Sequence, residues 1–252
     1  MAQFDNRYAV AGSATRTGAA VDEGLRSYML GVYNYMAAGV ALTGIVAYFV
    51  SSAAMVERVG GKVALTPFGQ MLYTTPLKWV VMLAPLAFVF FLSFRIYKMS
   101  VPAAQISFWL FAAVMGLSLS SIFLVFTGQS ITRVFFVTAA AFAGLSLYGY
   151  TTKKDLSGWG TFLIMGVIGL IIAALVNIWL QSSALQFAVS ALGVLIFAGL
   201  TAYDTQQIKD NYYEIAGDAT MMAKGAIMGA LNLYLDFINM FTSMLQLFGD
   251  RE

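Results

Sequence analysis

The chain has 252 residues, 60% hydrophobic and only 10% charged, with a mean hydropathy of +0.78, where soluble domains carry about 25% charged residues. This excludes a soluble globular protein and identifies a polytopic membrane protein, while a net charge of +2 dispersed along the chain excludes a nucleic-acid partner. The absence of cysteine and histidine removes disulfides, iron–sulfur clusters, histidine-held haem, zinc sites of the HExxH type and Ser-His catalysis, so no cofactor is expected.

Residues 1–28 are polar and of mixed charge (Asp5, Arg7, Arg16, Asp22, Glu23, Arg26). They lack the short apolar core of a signal peptide and read as a flexible cytoplasmic tail ahead of a membrane domain over 29–252. A window of about 19 residues then predicts an all-α fold of seven transmembrane helices, at 29–52, 77–97, 103–126, 131–151, 159–180, 184–204 and 225–248. Short joints separate them, including MSVP at 99–102, TGQS at 127–130 and TTKKDLSG at 151–158. The segment 53–76 reads as a surface loop, and a further break is expected at 205–224.

Lys and Arg concentrate on the cytoplasmic side of membrane proteins. With the N-terminus inside, nine basic residues fall on the cytoplasmic side and five outside, so a cytoplasmic N-terminus is expected. Apolar helices in lipid associate through close backbone approach; Gly31, Gly39, Gly116, Gly144, Gly166 and Gly169 are the expected contact points.

The stretch LNLYLDFINMF at 231–241 departs from this pattern. Asn232, Asp236, Asn239, Ser243 and Gln246 follow one another at steps of four and three and so share one helix face. A helix with a wet seam and an oily coat is expected to be surrounded by other helices or to line a cavity. Asp236 lies near the middle of its span, where a carboxylate costs about 2.5–3.5 kcal/mol on insertion scales. A second carboxylate, Asp204, closes the sixth apolar run, with Thr201 and Gln207 on its face. Two buried carboxyls brought together titrate as one unit able to hold a single proton. When ionised they form a hard oxygen site suited to a calcium ion, but far short of six to eight ligands, so any binding is weak, as permeation requires.

LTAYDTQQI (200–208), ALNLYLDFINMF (230–241) and SLYGYTTKKDLSGWG (146–160) together resemble the transmembrane Bax-inhibitor-motif proteins, also called the Bax inhibitor-1 family, with the last motif typical of bacterial members. The resemblance implies a bundle whose last helix stands at the centre, wrapped by the other six. It maps the family's pH-sensing aspartyl dyad onto Asp204 and Asp236, with Asn232 and Asn239 as supporting polar residues. It implies a pH-dependent calcium leak in a bacterial cytoplasmic (inner) membrane, with Arg95 or Lys98 as the basic latch on the first aspartate. An alternative implied by bacterial relatives is an interaction protein that modulates a membrane-bound ATP-dependent protease, the aspartates then being structural. An enzyme is not expected: Tyr203-Asp204 imitates half of an intramembrane aspartyl protease, but Asp236 sits in LYLD rather than GxGD.

Overall fold

The computed structural model describes residues 5–59 and 62–251, with side chains over 23–56 and 64–251. Of the expected N-terminal tail, residues 1–4 and the side chains up to position 22 lie outside the described residues. The elements in chain order are α1 (Asp5–Ala54), β1 (Met55–Val59), β2 (Lys62–Leu65), α2 (Pro67–Thr74), α3 (Leu77–Arg95), a 3-10 turn (Ile96–Lys98), α4 (Val101–Leu119), a second such turn (Ser120–Leu124), α5 (Gly128–Thr151), α6 (Ser157–Leu180), α7 (Ser183–Ile215) and α8 (Ala219–Phe248). This is an all-α polytopic membrane fold.

The joints form where short polar side chains satisfy the free N–H groups of the next helix. Ser100 accepts from Ala103 N at the start of α4, Thr127 from Ser130 N at α5, and Ser182 from Leu185 N at α7. Ahead of α6, the Ser157 backbone N–H and hydroxyl hold the Asp155 carboxyl below the usual carboxylate range. Two expectations are corrected. The loop over 53–76 is an antiparallel hairpin of β1 and β2 followed by α2, whose first turn Thr66 caps. The break at 205–224 shrinks to Ala216–Asp218, where Gly217 takes a φ of 115° that a residue without Cβ adopts freely.

Among the described residues, six helical segments are long and apolar enough to cross a membrane: Glu23–Ala54, Leu77–Lys98, Val101–Leu124, Gly128–Thr151, Ser157–Leu180 and Ser183–Ile215. The seventh expected span is α8, and Asn232, Asp236 and Asn239 lower its hydropathy below that of the rest. Its 30 residues rise about 45 Å, and it runs the length of the bundle. Lys224 near its start bonds the Tyr97 carbonyl at the end of α3, and the chain just past its end bonds Thr127 and Ser130 at the start of α5.

α8 is the central helix and packs against α1, α4, α5 and α7. α3 lies chiefly on α4, and α6 on α7, so the six other helices do not form one even ring around it. α6 is the most lipid-facing, with only Gly160 and Leu163 buried. Trp159 and Trp179, both exposed, stand at its two ends, and the rise between them is about 30 Å, the thickness of the hydrocarbon core. Tryptophans of this kind mark the two membrane–water boundaries.

The apolar flanks of α8 are aromatic. Tyr234 packs edge-on against Phe108 and Phe111 of α4, and Phe237 against Phe135 and Phe142 of α5. The Tyr234 hydroxyl, fully buried, meets Thr43 Oγ1 of α1 at 2.6 Å, and Thr43 donates to the Ala112 carbonyl of α4 at 2.8 Å. One polar point thus joins three helices, and a Thr43→Val, Tyr234→Phe double-mutant cycle is expected to give a coupling of about 0.5–2 kcal/mol in detergent unfolding. Of the expected glycine contacts, Gly39 meets Phe108, Gly116 the Thr43 carbonyl and Gly166 Ile196, while Gly31, Gly144 and Gly169 have nothing within 4 Å.

The C-terminus is clasped to the joint between α4 and α5. Thr127 N donates to the Asp250 carbonyl, Asp250 N to Ser130 Oγ, and the Arg133 guanidinium pairs with the Asp250 carboxylate at 3.0 Å.

Candidate functional site

The polar stripe of α8 faces α7. At the end near α6's C-terminus, Gln246 Oε1 accepts from Ser190 Oγ at 2.9 Å and from Gln186 Nε2, and Gln186 in turn accepts from Asn177 of α6. Ser243 sits against Gly193, where an added Cβ would meet its Oγ at 2.6 Å, so the helices approach closely there and a larger residue would displace the serine hydroxyl. Asn239, half-buried, turns its amide to the Leu235 carbonyl of its own helix, and Asn232 is also half-buried. The seam ends at Asp236 and Asp204.

The carboxyl groups of Asp236 and Asp204 lie within hydrogen-bonding reach of each other. Asp236 is 4% exposed, Asp204 more so. A carboxylate only accepts hydrogen bonds, so a bond between two of them requires a proton on one. Asp236 Oδ2 is the buried side-chain atom among the described residues that has no hydrogen-bond partner.

The sequence puts Asp204 at the end of the sixth apolar run and Asp236 near the middle of its span. Asp236 is near the middle of α8 by sequence, and α7 continues eleven residues past Asp204, so neither is a helix end. Yet Gln206, half a turn beyond Asp204, accepts from Leu156 N and donates to the Lys154 carbonyl in the α5–α6 joint. The pair therefore lies within about one helical turn of the level where α5 and α6 end. α7 and α8 overshoot their neighbours at this side, which shortens the distance from Asp204 to water.

The opposite flank of α7 is held by α5 and α1. Thr205 Oγ1 bonds Ser146 Oγ at 2.9 Å, which bonds the Tyr33 hydroxyl at 2.6 Å. One turn on, Gly149 presses on the Ala202 backbone, and Gly160 of α6 on the Tyr203 ring.

Arg95 and Lys98 are both exposed, and among the described residues neither forms an ion pair with Asp204. The buried cation here is Lys224 of α8, 9% exposed, which donates to the Tyr97 carbonyl at 3.0 Å. An ammonium at the C-terminal end of α3 complements the partial negative charge of the exposed carbonyls. In sequence it is one of several basic residues on that side, and nothing marks its burial. Lys224→Met is expected to raise the maleimide labelling rate of an Ile96→Cys reporter about threefold, the equivalent of about 0.6 kcal/mol for an interhelical bond; the natural absence of cysteine leaves the reporter as the sole thiol.

The family described as inhibitor of apoptosis-promoting Bax1 matches residues 25–252. The chain belongs to the Bax inhibitor-1 family. Among its relatives, an uncharacterised protein of Caulobacter vibrioides is 47% identical, covering 99% of this chain and 98% of its own length. An uncharacterised protein of Rickettsia prowazekii is 45% identical over 92% of both chains, and the inner membrane protein YbhL of Escherichia coli K12 is 45% identical over 91% of this chain and 94% of its own. Within this Bax inhibitor-1 family member, the three motifs that carried the resemblance are one contact surface. Ser146, Gly149, Lys154, Leu156 and Gly160 of the 146–160 motif dock on Ala202, Tyr203, Thr205 and Gln206 of the 200–208 motif, and Asp236 of the 230–241 motif meets Asp204.

Proposed function

We propose that this protein is a pH-responsive cation leak in which Asp204 and Asp236 share a proton and gate passage along the seam between α7 and α8. The observation that carries this reading is the meeting of the two carboxyls on the polar seam, with one buried oxygen, Asp236 Oδ2, that has no hydrogen-bond partner. Losing that proton removes a bond between the two helices and places two negative charges side by side. A bundle held together at this point by one proton has two arrangements whose balance follows pH.

Calcium is the ion the donors suit, because two carboxylates with Asn232 and Asn239 nearby offer only hard oxygen. Among the described residues no group of three or more acidic, His or Cys side chains exists to trap it, which is compatible with transit rather than storage. Arg95 or Lys98 is assigned as the partner of Asp204 in the ionised state. The end of the bundle bearing Arg26, Arg95, Lys153, Lys154 and Lys209 is placed in the cytoplasm by its basic charge, in an inner membrane like that of the Escherichia coli relative. The dyad then reads cytoplasmic pH.

The test is calcium entry into dye-loaded proteoliposomes scanned across about pH 5 to 8, the range over which a carboxyl pair can exchange a shared proton. Flux above protein-free vesicles that varies with pH is expected; vesicles no leakier than protein-free ones at every pH overturn the reading.

A further inference from the structure

Between α1 and α5 lies a groove of about 680 Å³ that opens sideways from the bundle and has no part in the α7–α8 seam. Its walls are apolar, with the exposed Ala37 and Ala143 and the ring of Phe142 at the deep end. Its floor is closed by the Tyr33–Ser146 hydrogen bond. Arg26 and Tyr150 stand at its mouth, and Lys209 of α7 donates to the Tyr150 carbonyl at 3.1 Å. We propose that this groove holds one acyl chain of an anionic phospholipid whose phosphate is met by Arg26.

Dimensions and charge both select this occupant. The eleven-residue step from Arg26 to Ala37 along α1 rises about 16 Å, about half the 30 Å hydrocarbon core, so the groove is one leaflet deep. Its open side faces lipid, and an apolar slot there is filled by a hydrocarbon chain rather than by water. At its mouth, α1 overshoots the end of α5 in the way α7 does, which carries the Arg26 guanidinium past the core to the level of the headgroups. Glu23, one turn earlier on α1, is exposed beside it and offsets part of its charge, and Lys209, whose ammonium lies on the carbonyl of the lining residue Tyr150, adds a cation next to the mouth. Basic pockets between transmembrane helices take anionic headgroups, and arginine matches a phosphate through two parallel bonds. The floor also gives the occupant a consequence for the fold: Ser146 bonds Thr205, the residue after Asp204, so a chain in the groove shields that network from the bilayer side.

The test is native mass spectrometry of the full-length protein released from mixed phosphatidylglycerol and phosphatidylcholine vesicles. The wild type is expected to retain one phospholipid, phosphatidylglycerol in preference. Arg26→Gln is expected to keep a bound phospholipid while its preference for phosphatidylglycerol falls about fivefold, the fold-change that about 1 kcal/mol per basic residue gives. Ala143→Trp fills the groove and is expected to lose the retained lipid of both kinds. Ala37→Trp, from the facing helix, repeats the test if the first variant fails to fold. Equal retention of the two lipids by the wild type, or undiminished retention by a folded groove-filling variant, overturns the proposal, and neither readout depends on ion flux.

Discussion

Asp236→Asn is expected to fix calcium flux at a single value across about pH 5 to 8, equal to the value the wild type shows at the acid end of the scan. The reason is geometric. An asparagine amide donates a hydrogen bond to Asp204 as a protonated carboxyl does, and it cannot lose that donor when pH rises. Asp204→Asn reverses the roles, with the amide donating to Asp236, and should flatten the profile in the same way. Asp236→Ala leaves Asp204 without its partner and is expected to give a different constant level, since the bond between α7 and α8 is absent at every pH. A one-proton switch changes its populations by at most about tenfold per pH unit, so a steeper wild-type profile would show that groups beyond this pair titrate with it. An Asp236→Asn protein that keeps the full pH response removes the pair from the gating role.

Gly149→Val is expected to abolish assembly of the bundle. A Cβ at Gly149 would lie 2.2 Å from the Ala202 carbonyl oxygen of α7, and a backbone atom inside a helix cannot step aside as a side-chain end can. Overpacking costs typically about 1–3 kcal/mol; here the whole of α5 must move off α7, taking the Ser146–Thr205 bond and the Gln206 contacts with it, and the upper end of that range or beyond is expected. Gly144 provides the control, because nothing lies within 4 Å of its Cβ position. Gly144→Ala on the same helix should leave the melting temperature and the size-exclusion profile close to wild type, with a change within about 0.5 kcal/mol. A Gly149→Val protein that stays monodisperse with an unchanged melting temperature would show that α5 and α7 do not meet at this point.

The contrast between those two glycines also marks what the sequence could and could not carry. Both sit in the same apolar helix, and only the face each presents decides whether it is a contact point. Composition does not state that face where lipid and protein interior are equally apolar. The stripe of α8 was legible for the opposite reason: Asn232, Asp236 and Asn239 are costly in hydrocarbon, so their shared face had to turn inward, and it meets α7. The extension of α7 to Ile215 was not legible, because hydropathy reports helix only while the chain is in the bilayer. Beyond that level TQQIKDNYYEI is polar, yet Gln206, Ile208 and Tyr212 are buried against neighbouring elements. The depth of Asp236 is not legible from the centre of α8 alone, because the level is set by the α5–α6 joint, whereas Asp204, at the end of its apolar run in the sequence, lies near that joint.

The position of α8 has a consequence for how the protein is made. Residues leave the ribosome N-terminus first, so the helix on which α1, α4, α5 and α7 all pack is synthesised after all four of them. It is also the long helix whose apolar character falls short of that of the six ahead of it. α8 is therefore the helix least suited to enter lipid as an independent stem. It is expected to be received by helices already in place, with α7 offering Asp204 as the polar partner. Until translation reaches Asp250 and the clasp on Thr127 and Ser130 closes, the nascent bundle is a shell around a missing axis. A ribosome stalled within α8 would leave that shell open, with an uncovered Asp204 as its mark.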